Sequence, residues 1–318
     1  MQAKKIAEHV YALHADIKDA PFFEGFWPIP SGVTLNSYIV RGEKTALIDL
    51  YRDWESAPEQ MDSQLASIGL SADAVDYVVL NHLEPDHSGF LQEFHKRNPR
   101  AQIIATAKGV ALAEKFSKAG SDANYRAVKT GDTLDLGNGI VLSFTEVPNV
   151  HWPETMVTWD AKSGTLFSCD AFGSYGKTGE RVFDDEFSAE EHAQFERESL
   201  RYYANIVASF STFVKQAIAK LAPLDIKVVA PSHGIIWRQH PAEIIRRYSA
   251  YAEYNTGGAL KNKITVIWGS MYGSTKIGVD AVVRGIERAG QKLAAQGKTP
   301  PECVVLEIPA VDSSFVLA

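Results

Sequence analysis

Between positions 82 and 87 the chain reads His-Leu-Glu-Pro-Asp-His, directly behind the apolar run Val78-Val79-Leu80. His82, Glu84, Asp86 and His87 all carry side chains that bind metals. Imidazole and carboxylate donors suit first-row transition metals, and so many on one stiff turn point to two ions rather than one. An ordinary charged loop accounts for them poorly, because polar groups left unpaired beside a core are costly. The alternation of His82, Glu84 and Asp86 predicts an extended segment that projects all three the same way. Pro85 is expected to keep that segment out of a helix and to stiffen it, and His87 then needs a turn to join the others.

Three more donors stand where strands deliver side chains to loops, the usual position of sites in layered folds. His151 lies in Glu-Val-Pro-Asn-Val-His-Trp-Pro, Asp170 ends Thr-Leu-Phe-Ser-Cys-Asp, and His233 ends Lys-Val-Val-Ala-Pro-Ser-His. Any one of them alone reads equally well as a satisfied polar residue. Their repeated placement makes them candidates to complete a dinuclear site.

The elements that must hold these residues follow from hydrophobic period. Residues 33–40 and 44–50 read as a β-hairpin around Arg41-Gly42-Glu43, and a helical pattern spans 55–69. The run Asp76 to Leu80 reads as a buried strand, with further strands near 101–105, 139–147, 155–160 and 164–169 and a helix over 107–119. Phe195, Leu200, Tyr203, Val207, Phe210, Val214, Ile218 and Leu221 recur at helical steps, which predicts helix over 188–222, ended by Pro223. A strand at Ile226–Pro231 and a helix over 241–253 come next. Residues 254–263 read as a linker. Beyond it, Ile-Thr-Val-Ile-Trp, an amphipathic stretch and Cys-Val-Val-Leu-Glu-Ile form one βαβ unit. A domain boundary is therefore expected at 258, giving units 1–258 and 259–318.

With these residues in place, the chain resembles the flavodiiron proteins, also called A-type flavoproteins. His-x-Glu-x-Asp-His, the later His, Asp and His, and the segments Asp-Ala-Phe-Gly-Ser-Tyr-Gly, Arg-Tyr-Tyr-Ala-Asn-Ile and Gly-Ser-Met-Tyr-Gly-Ser-Thr all fit that family. The resemblance implies an α/β fold: a metallo-β-lactamase-like αββα sandwich, followed by the start of a flavodoxin-like doubly wound domain. It implies two irons, one held by His82, Glu84 and His151 and the other by Asp86 and His233, with Asp170 bridging. His87 is the seventh candidate; in some members the equivalent histidine is swung away and water takes its place. Hydrolytic relatives usually carry His where Glu84 stands, a nitrogen donor suited to zinc. The added anionic oxygen favours higher iron oxidation states and redox chemistry.

Three residues near the expected centre draw attention. Many family members carry a histidine where this chain has Glu24, in Phe23-Glu24-Gly25-Phe26. Tyr202 and Tyr203 are candidates for a phenol that hydrogen-bonds a metal-bound species, with core packing the plainer reading of both, Tyr203 especially.

Trp268-Gly269 and the loop Ser270, Met271, Tyr272, Gly273, Ser274, Thr275 join a strand to a helix. Small residues, hydroxyls and a helix N-terminus make an anion cradle, and the absence of a Gly-Lys-Ser/Thr ending argues against a nucleoside triphosphate. The loop resembles the phosphate loop of flavodoxins, which implies FMN. A flavodoxin-like domain uses five parallel strands. Residues 259–318 supply two, so a shortened unit with weakened FMN binding is expected.

The resemblance further implies reduction of O2 to water or of NO to N2O, with FMN as relay and rubredoxin or a similar donor upstream. It also implies a head-to-tail homodimer or a higher homo-oligomer, because flavin and metals of one chain lie far apart. Two rival readings are a dizinc hydrolase of the same fold and a metal-binding protein without catalysis. A net charge of -7 and scattered basic residues exclude a nucleic-acid or anionic-membrane surface. No apolar run reaches membrane-spanning length, and no signal peptide is read at the N-terminus. Cys169 and Cys303, far apart, form no disulfide framework or Cys-x-x-Cys site. A cytoplasmic setting is expected.

Overall fold

A computed structural model describes residues 1–116, 123–257, 262–308, 310–312 and 314–317. Two β-sheets face each other. The first contains, in spatial order, Lys4–Ala7, Val10–Ile17, Val33–Arg41, Thr45–Ile48, Tyr77–Val79, Gln102–Thr106 and Tyr125–Val128. The second contains Thr133–Asp135, Val141–Glu146, Met156–Asp160, Thr165–Cys169 and Val228–Pro231. Strand alternation divides the apolar residues between two cores. Ala12, Tyr38, Val40, Ile48, Val79 and Ile104 of the first sheet meet Leu142, Phe144, Met156, Phe167 and Ala230 of the second in an inter-sheet core. Their neighbours Leu13, Leu47, Val78, Ile103, Leu166 and Val229 point outward, to a core shared with the helices. Helices Ala57–Ser67, Leu91–Arg97 and Ala107–Phe116 accompany the first sheet in sequence, and Ser211–Leu221 and Pro241–Thr256 the second. The result is the expected αββα sandwich.

The strands that matter most run parallel. Thr45–Ile48, Tyr77–Val79, Gln102–Thr106 and Tyr125–Val128 pair in parallel, as do Thr165–Cys169 and Val228–Pro231. Their carboxyl ends lie on one edge of the sandwich, where open α/β sheets place ligands. The two sheets are tied together near that edge by Tyr38, whose hydroxyl donates to the Pro231 carbonyl at 2.6 Å. Asn36 Nδ2 also donates there, to the carbonyls of Pro231 and Gly234 at 3.0 and 2.9 Å.

Two expectations change. Pro85 does not exclude helix: it opens the short helix Pro85–Ser88. A proline costs nothing in the first turn, where its missing N–H would have had no partner. Asp86 and His87 therefore leave a helical turn, not an extended strand. The single helix expected over 188–222 is broken. Ala189–Tyr202 is capped by Ser188 and Glu191 in a reciprocal capping box, then a π-turn covers Tyr203–Val207 and a 3₁₀ turn Ala208–Phe210 before Ser211–Leu221. Such bulges re-aim side chains and gather at functional sites. The helix Pro241–Thr256 also extends into the segment read as a linker. The domain boundary expected at 258 lies outside the described residues, as does the end of the helix expected over 107–119.

After residue 262, strands Lys263–Trp268 and Glu302–Glu307 pair in parallel, with the helix Ser274–Ala295 between them. This is the expected βαβ unit. Ile264, Ile267 and Val305 on its strands and Ile277 and Val282 on its helix are exposed. Asp312 and Ser314, farther on, return to the sandwich, accepting from Arg201 at 2.7 Å and donating to Asn205 Oδ1 at 2.9 Å.

Candidate metal centre

His82 follows the strand Tyr77–Val79, Asp170 follows Thr165–Cys169 and His233 follows Val228–Pro231. His151 sits in the loop between Val141–Glu146 and Met156–Asp160. The fold brings all seven candidate ligands together, in two groups. Single donor atoms of His82, Glu84, His151 and Asp170 lie within 4.8 Å of one another, and so do those of Asp86, His87 and His233.

Asp170 joins the groups. Its Oδ2 is 3.4 Å from Nε2 of both His82 and His151. Its Oδ1 is 2.9 Å from His87 Nε2 and 3.2 Å from His233 Nε2. Glu84 Oε2 lies 3.2 Å from His82 Nε2 and 2.9 Å from His151 Nε2. Asp86 lies 3.4 Å from His87 through Oδ1 and 3.2 Å from His233 through Oδ2. His87 points into the centre.

Glu84 is hydrogen-bonded to His82 and His151, whereas the second group crowds together without satisfying itself. Asp86 Oδ1 and Oδ2, Asp170 Oδ2, His87 Nε2 and His233 Nε2 are buried and have no hydrogen-bond partner. Orphaned buried polar atoms are rare and expensive. With Asp170 between them, the two groups of donors have the arrangement that a pair of cations satisfies. The donor set of imidazole and carboxylate, with no thiolate among the seven, fits iron and other first-row ions.

The supporting residues set the donors' orientation. Glu154 Oε1 accepts from His82 Nδ1 at 2.8 Å and from the Leu83 N–H at 3.1 Å, which leaves His82 Nε2 to face the centre. Behind His87, its Nδ1 is 3.9 Å from Cys169 Sγ, and Asp49 completes a buried cluster with both. Burial pushes the Cys169 thiol up, so it stays protonated. Asp49 accepts from the Asn81 N–H at 2.8 Å. Glu154, Asp49 and Cys169 were not among the residues singled out by sequence. Glu154 stands only two positions beyond Trp152, and Asp49 ends a strand as Asp170 does, but neither belongs to a recognisable spacing.

Electrostatics follow the crowding. Burial alone would lower the His151 pKa, yet hydrogen bonds to Asp170 and Glu84 outweigh it and carry it up to about 10. Burial would raise Asp170, but His87, His151 and His233 around it hold its carboxyl well below the usual range. The proton that His151 holds is one that a cation would displace.

The two tyrosines separate. Tyr202 donates to Asp170 Oδ1 at 2.9 Å. Tyr203 turns away: its hydroxyl pairs with Ser211 Oγ at 2.7 Å and its ring packs on Tyr248 and Tyr251. Tyr203 is thus held in the helical layer, outside the centre. Glu24 does reach the centre, grouped with Glu84 and Asp86 within 4.8 Å. Burial and the Asp86 and Glu84 carboxylates push it up to about 10.

The loop from Ser270 to Thr275 leads into the 22-residue helix Ser274–Ala295, with Gly273 at a left-handed φ of 81° as its cap. Met271 and Tyr272 are exposed, and the Thr275 N–H meets Ser270 Oγ at 3.4 Å. This geometry suits a phosphate. Among the described residues no wall encloses a flavin ring beside it.

The pattern of the ODP family beta lactamase matches residues 33–234. The chain is 34% identical over 272 residues to the anaerobic nitric oxide reductase flavorubredoxin of Vibrio vulnificus, covering 85% of this chain and 53% of that one. It is 37% identical over 268 residues to the flavorubredoxin of Salmonella arizonae, covering 83% and 53%. The chain thus spans about half the length of these relatives. Among solved structures it is similar to the flavodiiron protein of Giardia intestinalis (TM-score 0.86, 27% identity, 100% of this chain and 72% of that one). It is similar also to rubredoxin oxygen:oxidoreductase from Desulfovibrio gigas (TM-score 0.82, 28% identity, 99% and 74%). The chain belongs to the ODP family of beta lactamase-fold proteins, within its flavodiiron group.

Proposed function

We propose that the chain is an oxidoreductase that reduces O2 to water, NO to N2O, or both, at a dinuclear non-haem iron centre. One iron would be held by His82, Glu84 and His151, the other by Asp86, His87 and His233, with Asp170 shared by both groups of donors. The observation that carries this reading is the gathering of buried imidazole and carboxylate donors on either side of Asp170, with those of Asp86 and the Nε2 atoms of His87 and His233 left unpaired. Glu84 supports iron over zinc, since an anionic oxygen replaces the nitrogen usual in hydrolytic relatives. Two ferrous ions held there would supply electrons and open coordination positions for a diatomic substrate.

The chain's own residues orient and insulate. Glu154 fixes the His82 tautomer, and Tyr202 holds Asp170 while keeping a hydroxyl beside the centre. Trp152, edge-on to His82 at 5.1 Å, and Phe23, edge-on to His233 at 5.3 Å, cover the imidazoles with apolar surface. The loop Ser270–Thr275 is read as the phosphate site of FMN in a second domain that begins near 259. Electrons come from rubredoxin or a similar donor, and a head-to-tail homodimer or higher oligomer brings the flavin of one chain to the metals of another. A reducing cytoplasm is the setting consistent with two unpaired cysteines.

Metal and flavin quantification on one purified sample, followed by O2 and NO uptake after chemical reduction, tests the reading. Two irons per chain and uptake of either gas support it. Zinc at full occupancy with ester hydrolysis, or reduced diiron protein inert to both gases, sinks it.

A further inference from the structure

Glu24 lies in a short hairpin, Phe22–Phe23 paired with Trp27–Pro28. The Phe26 N–H donates to the Phe23 carbonyl at 3.0 Å, and Glu24 and Gly25 take φ of 51° and 75°, a type I′ turn. The first central position of such a turn favours Asn, Asp or Gly, so Glu24 is held there against its backbone preference. Two anchors set the hairpin over the centre. Phe23 is buried, edge-on to His233 at 5.3 Å and to Tyr202 at 6.2 Å. Arg201 donates to the Pro28 carbonyl at 2.6 Å. The Glu24 carboxylate therefore stands within 4.8 Å of Glu84, a donor of one metal group, and of Asp86, a donor of the other.

Asp86 is only 3% exposed, and neither of its oxygens has a hydrogen-bond partner. Three carboxyl groups gathered around such orphaned oxygens cannot all ionise unless cations lie between them. Two divalent ions also bring one more positive charge than Glu84, Asp86 and Asp170 return, and a net charge in a buried site is costly. A fourth carboxylate cancels it. We propose that Glu24 is a further metal ligand, closing the open face of the centre and contacting both cations from the hairpin. The proposal rests on the dinuclear reading above. As a carboxylate on a turn, Glu24 would occupy positions an incoming small anion needs and would have to yield them.

Cobalt(II) titration of the full chain, read by calorimetry and by the visible spectrum of the bound ion, tests this with Glu24→Gln and Glu24→Ala. Wild-type protein should take up two ions. The variants should bind about 10-fold more weakly, with a shifted spectrum, and Glu24→Ala should bind azide at lower concentration than wild type. Melting curves of the metal-free proteins provide the control: the variants should melt at or above the wild-type temperature, because a carboxylate is removed from two others. Two ions in wild type with unchanged affinity and spectrum in both variants overturn the role of Glu24 and leave the dinuclear centre standing. A lowered metal-free melting temperature with unchanged metal affinity assigns Glu24 to the turn alone, and also overturns it. Fewer than two ions in wild type overturns both readings.

Discussion

The hydroxyl of Tyr202 donates to Asp170 Oδ1 at 2.9 Å, while the adjacent Tyr203 points away to Ser211. Asp170 Oδ1 is also the atom facing His87 and His233. Tyr202 thus acts on the carboxylate that lies between the two groups of donors.

Removing that hydroxyl should loosen Asp170 without disturbing the fold. Tyr202→Phe is expected to weaken metal binding about 10-fold, as loss of a supporting hydrogen bond to a ligand does. Tyr203→Phe loses a bond to Ser211 and should cost about 1 kcal/mol of stability with metal affinity unchanged. Chelator competition and denaturant melts on both variants separate the two effects.

Glu154 should matter through His82 alone. Its Oε1 takes both the Nδ1 proton and the Leu83 N–H. Glu154→Ala leaves the Leu83 N–H unpaired and His82 Nδ1 with only Thr155 Oγ1 at 3.4 Å, and is expected to lower affinity by about 10–100-fold. Glu154→Gln keeps a carbonyl acceptor and should fall between the two. The measurement is metal affinity across the three proteins at one pH.

Metal loading should be steeply pH-dependent. Hydrogen bonds to Asp170 and Glu84 overcome the effect of burial and hold a proton on His151 up to about pH 10. A cation at Nε2 must displace that proton. Affinity should therefore rise with pH and fall as the solution is acidified, by about tenfold per pH unit for each proton released. Calorimetry in buffers of different ionisation enthalpy counts the protons; a pH-independent affinity would contradict this.

Arg201 links the centre's hairpin to the last described segment. Its side chain is 3% exposed and meets Glu198 at 2.8 Å, Asp312 at 2.7 Å and the Pro28 carbonyl at 2.6 Å. Arg201→Ala strands the buried Glu198 carboxylate and is expected to destabilise by about 3 kcal/mol. Burial would raise Asp312, but hydrogen bonds from Ser314 and the Arg201 charge lower it below its ordinary 3.8. Its contribution is complete above pH 3.8 and disappears as pH falls through the depressed value. Hydrogen exchange over residues 310–317 should show the segment released at low pH in wild type, and at neutral pH in Arg201→Ala.

Sequence alone determined many of the elements and most of the donors. The β-branched and apolar runs in Tyr77–Val79 and Thr165–Cys169 are a local property of strands with both faces buried, so they are written in residue types. The crowding of His82, Glu84, Asp86 and His87 is equally local, and no fold is needed to see that such a density demands a ligand. Family resemblance supplied the pairing of ligands into two groups. What only the tertiary structure decided depends on contacts between distant segments. Pro85 reads as a helix breaker until it is seen to be the first residue of a helix. Periodicity assigns Tyr203 to the apolar stripe but gives no partner for Tyr202; the helical rotation between them, at the start of the π-turn, sends one to Asp170 and the other to Ser211. Glu154 pairs with His82 across 72 positions, and no local pattern encodes that contact. Glu24 lies in a turn whose own residues give no hint of metal; the burial of Phe23 against His233 places it there.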